Sequence, residues 1–137
     1  MKNPFFNKAK RRAKEIFGQP EKVKQVLDDA TKRSKLIDTT KEKAATFSKN
    51  LQTLFSMLKA YFKGDYKDLP KNTIIKLLGA VIYFLFIADL IPDFFAVIGL
   101  VDDAAVVAWV INSISEDLDR FRQWELAQNE PVDVEDA

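Results

Sequence analysis

Residues 72–91, NTIIKLLGAVIYFLFIADLI, decide the fold. From Leu77 to Ala88 the run is apolar around the whole circumference of a helix. Such a helix is either buried in protein or immersed in a bilayer. Its length matches the ~20 residues that cross a hydrocarbon core. Lys76 near one end can snorkel to the interface, and Asp89 lies near the other. A second apolar run, 94–111, is less suited to spanning, because Asp102 and Asp103 fall near its centre. There each carboxylate costs roughly 2.5–3.5 kcal/mol. Two spans side by side are therefore disfavoured. A re-entrant or interfacial hairpin over 72–111, with its acidic turns facing protein or water, fits better. The competing reading is a soluble bundle in which 77–88 is the central helix, wrapped by amphipathic neighbours.

Those neighbours are legible upstream. Residues 5–17, FFNKAKRRAKEIF, place Phe5, Phe6, Ala9, Ala13, Ile16 and Phe17 on one helical stripe, with Lys8, Lys10, Arg11, Arg12 and Lys14 around it. Gly18 and Pro20 punctuate the end, glycine suiting a helix terminus and proline the first turn of the next helix. Over 20–37, Val23, Val26, Leu27, Ala30, Ser34 and Ile37 recur at intervals of three and four. Over 40–63, Ala44, Phe47, Leu51, Leu54, Phe55, Leu58 and Phe62 give the cleanest helical period in the chain, closed by Gly64. After the second apolar run, a helix over 103–121 is expected. No strand-like alternation persists anywhere. The predicted fold is all-α, with amphipathic helices packed around a hydrophobic helix–turn–helix hairpin. Three regions are expected: a basic amphipathic region, 1–64; a hydrophobic region, 65–126; and a frayed acidic tail, 127–137.

Composition removes most chemistry. The 137 residues contain neither cysteine nor histidine. Disulfides, zinc and iron–sulfur sites, thiol nucleophiles and imidazole general bases are excluded. The four glycines form no phosphate-cradling loop, and no serine has a partnered base. The protein is therefore expected to be non-enzymatic.

The net charge of +1 conceals a strong polarity. Residues 1–76 hold 19 of the 21 Lys and Arg and 8 of the 20 Asp and Glu, a net +11, whereas residues 77–137 carry −10. A basic half of this kind implies an anionic partner. Its aromatics are phenylalanines on an apolar stripe, which is unsuited to base stacking, so nucleic acid is disfavoured. Cationic amphipathic helices gain about 1 kcal/mol per Lys or Arg at an anionic lipid surface, which makes the membrane the expected partner. Trp109, Trp124, Tyr61, Tyr66 and Tyr83 are either interfacial anchors or ordinary core and surface aromatics. The N-terminus is too charged for a secretory signal, which puts the N-terminal half on the cytoplasmic side.

The stretch from Tyr83 through Asp89-Leu90-Ile91-Pro92-Asp93, followed by Gly99 and the Asp102-Asp103 pair, resembles the YkvA-like family, a bacterial domain of unknown function. The resemblance covers about residues 65–115. Ile87 and Ala96 stand where the family pattern has prolines. It implies a helical, often membrane-predicted protein with no established activity, and it supplies no catalytic residue.

The aspartates themselves admit two readings. Asp102 can cap a helix, with Asp103 in its first turn, where the helix dipole favours negative charge. Alternatively Asp89, Asp93, Asp102 and Asp103 converge on Mg²⁺, Ca²⁺ or Mn²⁺, ions that suit all-oxygen sites. Interaction with the chain's own basic helices is a further role. The function expected is a membrane-associated helical protein, with the hairpin 72–111 as anchor or core and basic helices on anionic lipid. The alternatives are a soluble bundle serving as a binding or adaptor module, and a divalent-cation-binding protein.

Overall fold

The computed structural model describes residues 4–90 and 104–129, and among them six helices and no strand are found. They are α1 (Pro4–Ile16), α2 (Pro20–Ser34), α3 (Glu42–Lys63), α4 (Lys71–Leu90), α5 (Ala104–Ser113) and α6 (Ser115–Asn129). The all-α reading holds.

Helix ends follow local chemistry. Pro20 occupies the first turn of α2, where a missing N–H costs nothing. At the end of α3, Gly64 adopts a left-handed φ of 85° that a side chain would resist. Its N–H donates to the Tyr61 carbonyl at 3.0 Å, and the Asp65 N–H donates to that of Ala60 at 3.0 Å. The expected helix over 103–121 is instead two helices meeting at Ile114. The Ser113 hydroxyl donates to the Val110 carbonyl, and the Ile114 N–H is shared between Val110 and Ile111. Side-chain back-bonding of this kind competes with the helical ladder and bends it. The last helix, α6, continues to Asn129.

The packing is organised around α4. Ile74, Leu77, Leu78, Ala80 and Val81 have no exposed surface, and Ile82, Tyr83 and Phe84 almost none. α1 lies against one side, and α2, α3 and α5 cover others. The buried side chains run from Phe6 to Phe121 as one continuous cluster, so the basic and hydrophobic regions share a core. Phe6 of α1 packs edge-on against both Tyr83 of α4 and Trp109 of α5, with centroids at 6.2 and 5.8 Å. Phe47 of α3 meets Phe84 from another direction, at 5.9 Å. α2 and α3 are tied by Gln52, which donates to the buried Ser34 hydroxyl at 3.2 Å.

The α1–α4 contact is close because both helices present small residues. Ala9 and Ala13 are fully buried on α1. Opposite lies Gly79, where an added Cβ would fall 3.0 Å from Lys10 Cγ and 3.4 Å from Lys10 Cα. Phe5 departs from the expected stripe. It is 49% exposed, while Phe6, Ala9, Ala13 and Ile16 take the whole inner face and Phe17 lies at its edge against Phe62.

Leucine at position 79 should therefore drive α1 off α4. Gly79→Leu is expected to cost about 2–3 kcal/mol through overpacking. Gly79→Ala should stay within about 1 kcal/mol of the parent, because better helix propensity offsets the tight contact. Urea unfolding would measure both; a leucine variant as stable as the parent would mean that α1 is not seated there.

Candidate functional site

Of the four aspartates singled out in the sequence, Asp89 is described, and Asp93, Asp102 and Asp103 lie outside the described residues. Asp89 sits near the end of α4, and its carboxylate accepts a hydrogen bond from Arg33 of α2. Arg33 also reaches Asp29, one turn earlier on its own helix, at 3.2 Å. The two carboxylates raise the guanidinium's pKa, with the Asp89 hydrogen bond the largest cause. The acidic end of the central helix is thus tied to the chain's own basic region, one of the roles open from sequence. Among the described residues no group of three or more acidic side chains could hold a metal ion. Ile87, at the position where the sequence resemblance calls for proline, is buried within α4, and the helix runs through it to Leu90. An N–H at that position keeps the ladder intact where proline would break it.

A second polar cluster was not evident from the sequence. At the start of α4 the Thr73 hydroxyl donates to Asp117 Oδ2 at 2.5 Å. Asp117 lies in the first turn of α6 and also accepts from Arg120, which reaches Asp68 at 3.4 Å. Tyr66 packs beside them against Phe121 and Trp124, with its buried hydroxyl next to the Arg120 guanidinium. Burial pushes the phenol's pKa up and the Asp68 charge adds to this, while the Arg120 guanidinium partly opposes them. The only sequence cue was Glu116-Asp117 beginning a helix, which reads as ordinary first-turn charge.

The aromatics considered as membrane anchors are mostly internal. Tyr83 and Tyr66 are buried, and Tyr61, Trp109 and Trp124 are half-buried against the core. Lys76 does not extend past the helix end but places its ammonium over the Trp109 ring at 5.9 Å.

The outer face of α1 is cationic. Lys8, Arg11, Arg12 and Lys14 are exposed, with Phe5 among them. Arg12 pairs with Glu15 at 3.2 Å, and Lys8 lies over the Phe86 ring. α4 is the one helix among the described residues long and apolar enough to cross a membrane, and 67% of its apolar window is buried inside the protein.

A family model described as a protein of unknown function, DUF1232, matches residues 73–109. The uncharacterized membrane protein YkvA of Bacillus subtilis strain 168 is 32% identical over 77 residues, 56% of this chain and 73% of the relative. The chain belongs to the YkvA-like family. None of the solved structures matches it. The DUF1232 match begins at Thr73 and runs through the rest of α4 into α5, while α1, α2 and α3 supply most of the covering around it. Kinship and the one apolar helix fit a membrane-associated helical protein.

Two measurements probe these contacts. The Arg33–Asp89 pair is solvent-facing, so a double-mutant cycle with Arg33→Ala and Asp89→Asn should give no more than about 1 kcal/mol. That coupling should shrink towards zero near ~1 M salt. A larger, salt-resistant coupling would show that the pair is shielded from solvent. For Tyr66 the folded-state pKa is raised, so the protonated form is favoured by the fold. Its contribution is complete below the usual value of about 10 and is lost as pH rises past it. Tyr66→Phe should flatten that alkaline decline and change stability at neutral pH by no more than about 1 kcal/mol.

Proposed function

We propose that this YkvA-like protein is a non-enzymatic helical bundle that associates with the cytoplasmic face of a membrane through the outer surface of α1. The observation that carries the reading is the division of that helix into two faces. Its apolar stripe is used on α4 and α5, and Lys8, Arg11, Arg12 and Lys14 are left outside beside the exposed Phe5. Cations grouped around one exposed aromatic suit a surface of anionic headgroups. The name of the Bacillus subtilis relative supports a membrane location. In this reading α4 is the core of the bundle, and attachment comes from α1 together with the apolar sequence 94–101, which lies outside the described residues.

The soluble adaptor bundle remains the second reading, favoured by the burial of most of α4. Vesicle sedimentation separates the two. The protein should pellet with vesicles containing phosphatidylglycerol and much less with phosphatidylcholine alone. Reversing three exposed charges, Lys8→Glu, Arg11→Glu and Lys14→Glu together, removes at least about 3 kcal/mol of attraction, roughly a hundredfold in affinity. The helical circular dichroism of that variant should match the parent, because none of the three side chains is in the core. Equal binding to neutral and anionic vesicles, or undiminished binding by the variant, counts against the α1 surface. Recovery with neither vesicle favours the adaptor.

A further inference from the structure

A groove of about 460 Å³ opens between α2 and the last turns of α3, away from the α1 surface. Its floor and ends are apolar, formed by Pro20, Val23 and Leu27 of α2 and Phe62 of α3. Its rim carries Lys24, Lys59 and Lys63, against the single acid Asp28. Among the described residues none of these three lysines forms an ion pair. Lys59 and Lys63 stand one turn apart on the same helix, a like-charge arrangement that mildly destabilises the helix itself.

We propose that this groove holds one acyl chain of an anionic lipid, with the headgroup on the lysine rim. The volume lies within the ~300–1,000 Å³ of small-ligand sites. From Pro20 to Leu27 the α2 wall runs about 10 Å, enough for a file of methylenes over Val23, Leu27 and Phe62. Lysine stems extend the apolar wall while their ammonium groups reach a phosphate at the mouth. The rim's net +2 selects an anionic head over a zwitterionic one.

The test uses the full chain and monomeric lauroyl lysophosphatidylglycerol, followed by amide NMR. The lipid should shift Val23, Leu27 and Phe62, and bind about tenfold or more tightly than lauroyl lysophosphatidylcholine, which has the same tail. Glycerol phosphate, the head without a tail, should leave these amides in place. Lys24→Glu with Lys63→Glu, both exposed positions, should weaken binding by about tenfold or more with the rest of the spectrum unchanged. Equal affinity for the two lipids, shifts centred on α1, or full affinity in the double variant would overturn the assignment. So would an acidic amphipathic peptide that occupies the same residues more tightly than the lipid. The site is separate from the α1 surface, so vesicle binding can fail while the groove fills, and the reverse.

Discussion

The structure depends on covering α4. A helix that is apolar on all sides has no face to give to water, so each side needs protein against it or a bilayer around it. In this chain α1 meets the largest part of that demand. Ala9 and Ala13 on one helix and Gly79 on the other let the two backbones come together, and Phe6 reaches between Tyr83 and Trp109. Close approach maximises dispersion contacts along the interface, which matters where neither partner offers a hydrogen bond.

Where the charges end up follows from that packing. Once the apolar stripes of α1, α2 and α3 turn inward, their lysines and arginines have only the outer surface left. The basic half of the chain therefore wraps the apolar helix and shows a cationic exterior. Part of the opposite charge returns to it, since Asp89, at the end of α4, is held by Arg33 of α2. The reverse pairing joins Arg120 of α6 to Asp68 in the loop before α4. These exposed pairs orient the helices more than they stabilise them.

This arrangement changes how a membrane would be met. An apolar helix sheathed by its own chain contributes to folding, and under the proposed function lipid attraction falls to the charged outer surfaces instead. The DUF1232 family model covers the apolar helix and its continuation, while most of the cationic surface belongs to helices α1, α2 and α3, which lie before the residues it matches.

The sequence by itself determined the helical class, four of the helix positions nearly to the residue, and the family. The class and the helix positions came from local physics: the period of three and four over 44–62, proline at 20, glycine at 64, and a run at 77–88 with no polar face. The family came from the resemblance carried by Tyr83, Asp89-Leu90-Ile91-Pro92-Asp93, Gly99 and the Asp102-Asp103 pair. The sequence also left open a link between the aspartates and the basic helices, but it could not name Arg33, which is 56 residues from Asp89. The break at Ile114 was hidden because it turns on one serine hydroxyl choosing a carbonyl. Only the tertiary structure decided which way the α1 stripe faces, that Phe5 stays outside it, and that Lys59 and Lys63 meet Lys24 across a groove. Periodicity shows that a helix has an apolar face. The partner against which that face is buried depends on contacts between residues far apart in the chain, and no local pattern records them.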